Sequence, residues 1–197
     1  MEWVTTSTII RDLRDHSNQA AWGSFVDRFQ GPVLRFISGL GFPPQDAQDV
    51  SQEALAAFAE GLRSGRYERE RGGLRAWLFG IAYKQALRQR QSTGRHERLL
   101  ARGEAAERAV CVVPDEKSAG EQWNTLWEKF LVEECFRQVR LEFRLENVRA
   151  FEMMVREGYD AREAAAAVGT TTRAVYSAKH RILTRMRELR SQLESLE

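Results

Sequence analysis

The sequence predicts an all-α protein made of two small helical domains joined by a charged linker, and three observations carry that reading. Apolar residues recur at helical spacing along nearly the whole chain. No run of alternating or β-branched residues is long enough for a strand. The periodicity lapses once, between about Gln91 and Gly120, where Gly94, Gly103, Pro114 and Gly120 punctuate a charged stretch of the kind that tethers domains. The expected organisation is a domain over residues 1–91, a linker over 92–120 and a second domain over 121–197.

Each element follows from its own pattern. A helix over about Asn18 to Gln30 places Trp22, Phe25, Val26 and Phe29 on one face. Gly31-Pro32 is expected to break it before Val33, Leu34, Phe36, Ile37 and Leu40 resume the pattern, and Gly41 with Pro43-Pro44 ends that second piece. The next helix, about Gln45 to Leu62, buries Val50, Ala54 and Phe58, and a polar, Arg-rich connection follows over Gly65 to Gly73. Leu74, Trp77, Leu78 and Ile81 define a long helix running toward Arg90. Within the linker, Glu97 to Ala109 has the composition of a polar helix. Helical order resumes at Glu121 with Trp123, Leu126, Trp127, Phe130 and Leu131, and a further helix through Val148, Phe151 and Val155 stops near Gly158.

Composition narrows the function. The 197 residues, 43% of them apolar, suffice for real cores. A charged fraction of 29%, a mean hydropathy of −0.50 and the lack of any apolar run near membrane-spanning length argue against membrane insertion. Met1 to Leu13 has no secretory pattern, so a cytoplasmic location is expected. Cys111 and Cys135 are isolated from each other and from any His cluster, which argues against a metal or redox site. No nucleotide loop and no Ser-His-Asp or Cys-His constellation is present, and the three histidines, His16, His96 and His180, are scattered. Neither enzymatic chemistry nor a cofactor is expected. The net charge is only +2, but its distribution is uneven. One basic cluster runs through Arg63, Arg66, Arg69, Arg71, Arg75, Lys84, Arg88 and Arg90, another through Arg173, Lys179, Arg181, Arg185, Arg187 and Arg190, while Asp46, Asp49, Glu53 and Glu60 form an acidic stretch.

The sharpest local signal lies between Tyr159 and Met186. Asp160 with Glu163 makes a capping box, Ala161, Ala164, Ala165 and Val168 supply a packing face, and Gly169 is a C-terminal stop. Thr171 suits an N-cap for the helix that follows, with Val175, Ala178, Ile182, Met186 and Leu189 along its apolar side. Two helices joined by so tight a turn form a helix-turn-helix. The opposite side carries Arg173, Tyr176, Ser177, His180 and Thr184, flanked by Lys179, Arg181 and Arg185. Arginine can read guanine edges bidentately, and the flanking cations can neutralise phosphates, so this face is a candidate DNA reader.

Three stretches resemble the extracytoplasmic-function (ECF) sigma factors of bacterial RNA polymerase, over about Gln19 to Gln91 and Phe136 to Arg190. Asp46-Ala-Gln-Asp-Val-Ser-Gln-Glu-Ala-Leu is similar to the family's second conserved region. There the resemblance implies core-polymerase contacts by Asp49, Gln52, Glu53 and Phe58. Tyr67-Glu-Arg-Glu-Arg-Gly-Gly-Leu-Arg-Ala-Trp-Leu-Phe-Gly-Ile-Ala-Tyr-Lys is similar to the promoter-melting stretch. It implies that Arg66, Arg69, Arg71, Arg75, Phe79, Tyr83, Lys84 and Arg88 handle single-stranded DNA of the downstream (-10) element, with the loop from Arg66 to Gly73 as a base pocket. Phe79 is equally compatible with core burial. Gly169-Thr-Thr-Thr-Arg-Ala-Val-Tyr-Ser-Ala-Lys-His-Arg-Ile-Leu resembles the recognition helix that reads the upstream (-35) element. By that resemblance Thr171, Thr172, Arg173, Tyr176, Ser177, Lys179, His180 and Arg181 face DNA. Arg173, Ala178-Lys179 and Lys84 depart from the family's usual residues, so no base preference carries over.

The resemblance implies a non-enzymatic initiation subunit whose partners are core RNA polymerase and promoter DNA, with an anti-sigma factor or another regulator as a further candidate. Two other readings compete. An ordinary two-domain helix-turn-helix regulator would bind duplex DNA tightly without polymerase, and a helical adaptor using the Trp123 and Trp127 face would ignore DNA altogether.

Overall fold

The computed structural model of the chain describes residues 6–15, 18–68, 73–100 and 114–194. All regular structure among them is helical, as the periodicity predicted: α1 (Thr6–Arg14), α2 (Gln19–Gly39), α3 (Pro44–Arg63), α4 (Gly73–Leu100), α5 (Glu116–Glu142), α6 (Leu145–Val155), α7 (Ala161–Val168) and α8 (Thr172–Glu194). No described helix is long and apolar enough to cross a membrane. Contacts divide the chain into two compact units, one holding the described residues up to Glu128 and the other those from Lys129 onward.

In the first unit α2, α3 and α4 pack pairwise, and α1 lies against α2 and α3. The expected break at Gly31-Pro32 does not occur, because α2 runs unbroken through Pro32. A proline inside a helix removes one hydrogen bond and costs about 3 kcal/mol. Here Phe25, Phe29, Pro32, Val33, Phe36 and Ile37 form one continuous buried stripe, and breaking the helix would expose half of it. Burial at roughly 1.5–3 kcal/mol per large side chain outweighs the lost bond. α1 was not anticipated from the sequence. Its short apolar pattern buries Ile10 and Leu13.

The middle of this unit is aromatic. Phe58 is fully buried, stacks on Phe25 with ring centroids 4.6 Å apart, and meets Trp77 at 4.5 Å. This chain of rings ties α2, α3 and α4 together. Gly61 permits the last contact, since a Cβ there would sit 2.8 Å from the Trp77 ring. Arg90 lies over the Phe42 ring at 4.0 Å and donates to the Leu40 carbonyl at 3.1 Å, which pins the α2–α3 turn to α4.

α5 starts earlier than the sequence suggested. Asp115 caps it, its carboxylate accepting from the backbone N–H groups of Lys117 and Ser118 and from the Ser118 hydroxyl at 2.8 Å. α4 likewise runs past Arg90 to Leu100. The polar helix expected over Glu97 to Ala109 falls mostly outside the described residues.

In the second unit α6, α7 and α8 pack mutually around Ala150, Met153, Ala161, Ala164, Ala165 and Val175. The capping box at Asp160 is formed with both reciprocal bonds, and Gly169 adopts the left-handed conformation, φ 69°, that turns the chain from α7 to α8. Phe136 of α5 packs on Phe151 at 5.7 Å, flanked by the guanidinium groups of Arg140 and Arg156.

Candidate nucleic-acid and polymerase interfaces

α3 separates its residues cleanly by face. Asp49, Gln52 and Glu53 are exposed, whereas Val50, Ala54 and Phe58 are buried. The 49/53 spacing therefore presents two carboxylates side by side on one solvent face, where they can attract a basic partner. Phe58 has no exposed surface, and any part it plays in docking comes from holding α3 in place.

The candidate single-strand residues fall on two opposite sides of α4. On one side Trp77, Ile81, Lys84, Gln85 and Arg88 join Glu60 and Arg66 around a groove of about 420 Å³. Lys84, Arg88 and Arg66 are exposed there, and Tyr67 lies against the Trp77 ring at 5.0 Å, so the groove combines aromatic surface with cations. Arg69 and Arg71 lie outside the described residues.

On the other side lie Arg75, Phe79 and Tyr83, one turn apart from each other. Each is engaged by residues 114–128. Arg75 donates to Asn124 Oδ1 at 2.7 Å and lies 3.7 Å from the Glu128 carboxylate. Phe79 stacks beside Tyr83 at 5.7 Å and meets Trp123 at 6.2 Å and Phe36 at 5.7 Å. The Tyr83 hydroxyl donates to the Pro114 carbonyl at 3.0 Å. Burial, then the nearby Glu116 and Asp115 charges, push the Tyr83 phenol above its usual pKa. Trp123 and Trp127 are almost fully buried, Trp127 stacking on Phe29 at 6.0 Å. Sequence reasoning did not find this cover, and no local pattern signals a contact between segments so far apart along the chain.

In the second unit the DNA-facing candidates of α8 line one open face. Thr171, Thr172, Arg173, Tyr176, Ser177, His180 and Arg181 are exposed, Tyr176 by 57%, and Lys179 is half-buried at the edge. Val175, Ala178, Ile182 and Leu189 face inward. Thr171 caps the helix, its hydroxyl accepting from the Ala174 N–H at 3.2 Å. Beside the turn, Arg144, Asn147, Thr170 and Arg181 border a cleft of about 770 Å³. Arg185 ties α8 to α5, forking onto the Glu142 carboxylate at 2.6 and 2.9 Å, and also reaches Glu188 at 3.1 Å. That fork holds the Glu142 carboxyl below its usual pKa and raises that of Arg185.

Residues 25–96 match the family model for sigma-70 region 2. No curated protein matches the chain. The sigma-70 region 2 match runs from Phe25 in α2 through α3 and most of α4, so it contains both the exposed acidic face of α3 and the groove lined by Trp77, Lys84 and Arg88. It supports a factor of the sigma-70 family.

Proposed function

We propose that the chain is an initiation factor of the ECF sigma group, which binds core RNA polymerase and directs promoter recognition and melting. The observation that carries this reading is the sigma-70 region 2 match, because it falls on the helices that present the two candidate surfaces. In this reading Asp49, Gln52 and Glu53 dock the first unit on polymerase. The α3–α4 groove then takes a base of the opened strand, with Lys84, Arg88 and Arg66 neutralising its phosphates. α7 and α8 act as a helix-turn-helix, with Arg173, Tyr176, Ser177 and His180 toward the major groove and Lys179 and Arg181 toward the backbone. None of these steps needs a catalytic group or a cofactor, and an anti-sigma protein is a natural further partner for either surface.

The test is transcription in vitro with purified core polymerase and a pool of genomic promoter fragments. The expected result is a set of start sites that require the chain and vanish when Asp49 and Glu53 are both changed to Lys. Tight, polymerase-independent binding to duplex promoters would instead favour the two-domain regulator.

A further inference from the structure

We propose that residues 114–128 form a latch that mimics a DNA single strand and keeps one face of α4 closed in the free protein. The inference rests on the single-strand role proposed above. Arg75, Phe79 and Tyr83 follow i, i+4, i+8 spacing and offer a cation and two rings stacked 5.7 Å apart, a combination that suits a polyanion with stacking bases. What occupies them has the same chemistry. Residues 114–128 carry four acidic side chains, Asp115, Glu116, Glu121 and Glu128, against one lysine, Lys117, a net charge of −3. The Asn124 amide oxygen and the Glu128 carboxylate meet Arg75 where a phosphate would, and the Trp123 indole lies against Phe79 where a base would.

The opposite side of α4, with Lys84 and Arg88, stays open. A strand can therefore be captured in the groove first and extend onto Arg75, Phe79 and Tyr83 only after the latch leaves. An affinity reduced by the fraction of open molecules is the expected signature, since binding to a minor state is weakened by that fraction.

Binding of a fluorescein-labelled random single-stranded DNA to the full chain, read by anisotropy, tests this. The double variant Asn124→Ala/Glu128→Gln removes the Asn124 acceptor and the Glu128 charge that meet Arg75. It is expected to bind about three- to tenfold more tightly than the wild type, the effect of losing one ordinary, solvent-exposed hydrogen bond from the closed state. That gain is expected to disappear when Arg75→Ala is added. Hydrogen exchange of the 116–128 amides is expected to speed up when DNA is bound, while that of α3 does not. Trp123→Ala provides a stronger release if it folds, and the polar pair decides the matter if it does not. Unchanged or weaker binding by the folded double variant, with Lys84→Ala/Arg88→Ala still abolishing binding, overturns the latch and leaves the groove standing. No binding by any form, wild type included, overturns the single-strand reading and the latch with it.

Discussion

The Glu142–Arg185 fork makes the sharpest quantitative prediction, because it ties α8 to α5 through a residue distant in sequence. Both side chains are about 30% exposed, and the carboxylate also accepts from Gln138 at 3.2 Å. An exposed pair contributes about 0.2–1 kcal/mol, and a bidentate, two-thirds buried pair sits above that range, at about 1–2 kcal/mol. Glu142→Gln keeps the volume and removes the charge. For a unit of this size each kcal/mol shifts Tm by roughly 4–8 °C, so the second unit should melt about 4–16 °C lower. Residues 129–194 contain no tryptophan, so the readout is native-state hydrogen exchange of the α6 and α8 amides. A cycle with Arg185→Met isolates the coupling. Since the folded pKa of Glu142 is depressed, the contribution is present above its unfolded pKa, near 4.5, and is lost as pH falls through the folded value. A coupling below about 0.3 kcal/mol at pH 7, or one that does not begin to weaken as pH is lowered below the unfolded pKa, would refute the reasoning.

Other outcomes follow from the two faces of α3 and from the turns. Phe58→Ala should cost the first unit about 3–5 kcal/mol by opening the ring stack, seen in urea unfolding followed by tryptophan fluorescence. Asp49→Lys/Glu53→Lys should stay within about 0.5 kcal/mol of the wild type in the same assay while abolishing polymerase-dependent transcription. Gly61→Ala should displace Trp77 and cost about 1–3 kcal/mol, with a shift in tryptophan emission. Lys84→Ala and Arg88→Ala should each lower the slope of log K against log salt for single-stranded DNA by about 0.7, and a parallel weakening without a slope change would remove them from the phosphate path.

What the sequence made legible was local. The α7–α8 pair could be read residue by residue because Asp160, Glu163, Gly169 and Thr171 act on neighbours a few positions away, and all four act as expected. The facing of Asp49 and Glu53 followed from helical spacing alone. What escaped were effects of tertiary contact. Gly31-Pro32 is a strong local breaker that a continuous buried stripe overrode. Spacing with Val50 and Ala54 does place Phe58 in the core, as observed, but nothing local names the Phe25 and Trp77 rings that meet it there. The same holds for Phe79, Tyr83 and Arg75, whose partners sit in 114–128.

The late position of Trp123 and Trp127 bears on how the protein is made. Helices α1 to α4 of the first unit are synthesised before residue 123, yet the surface around Phe29, Phe36 and Phe79 is covered only when the two indoles arrive. During that interval the nascent chain displays an aromatic flank to anything nearby, and its N-terminal unit finishes folding only as its second unit begins to be synthesised.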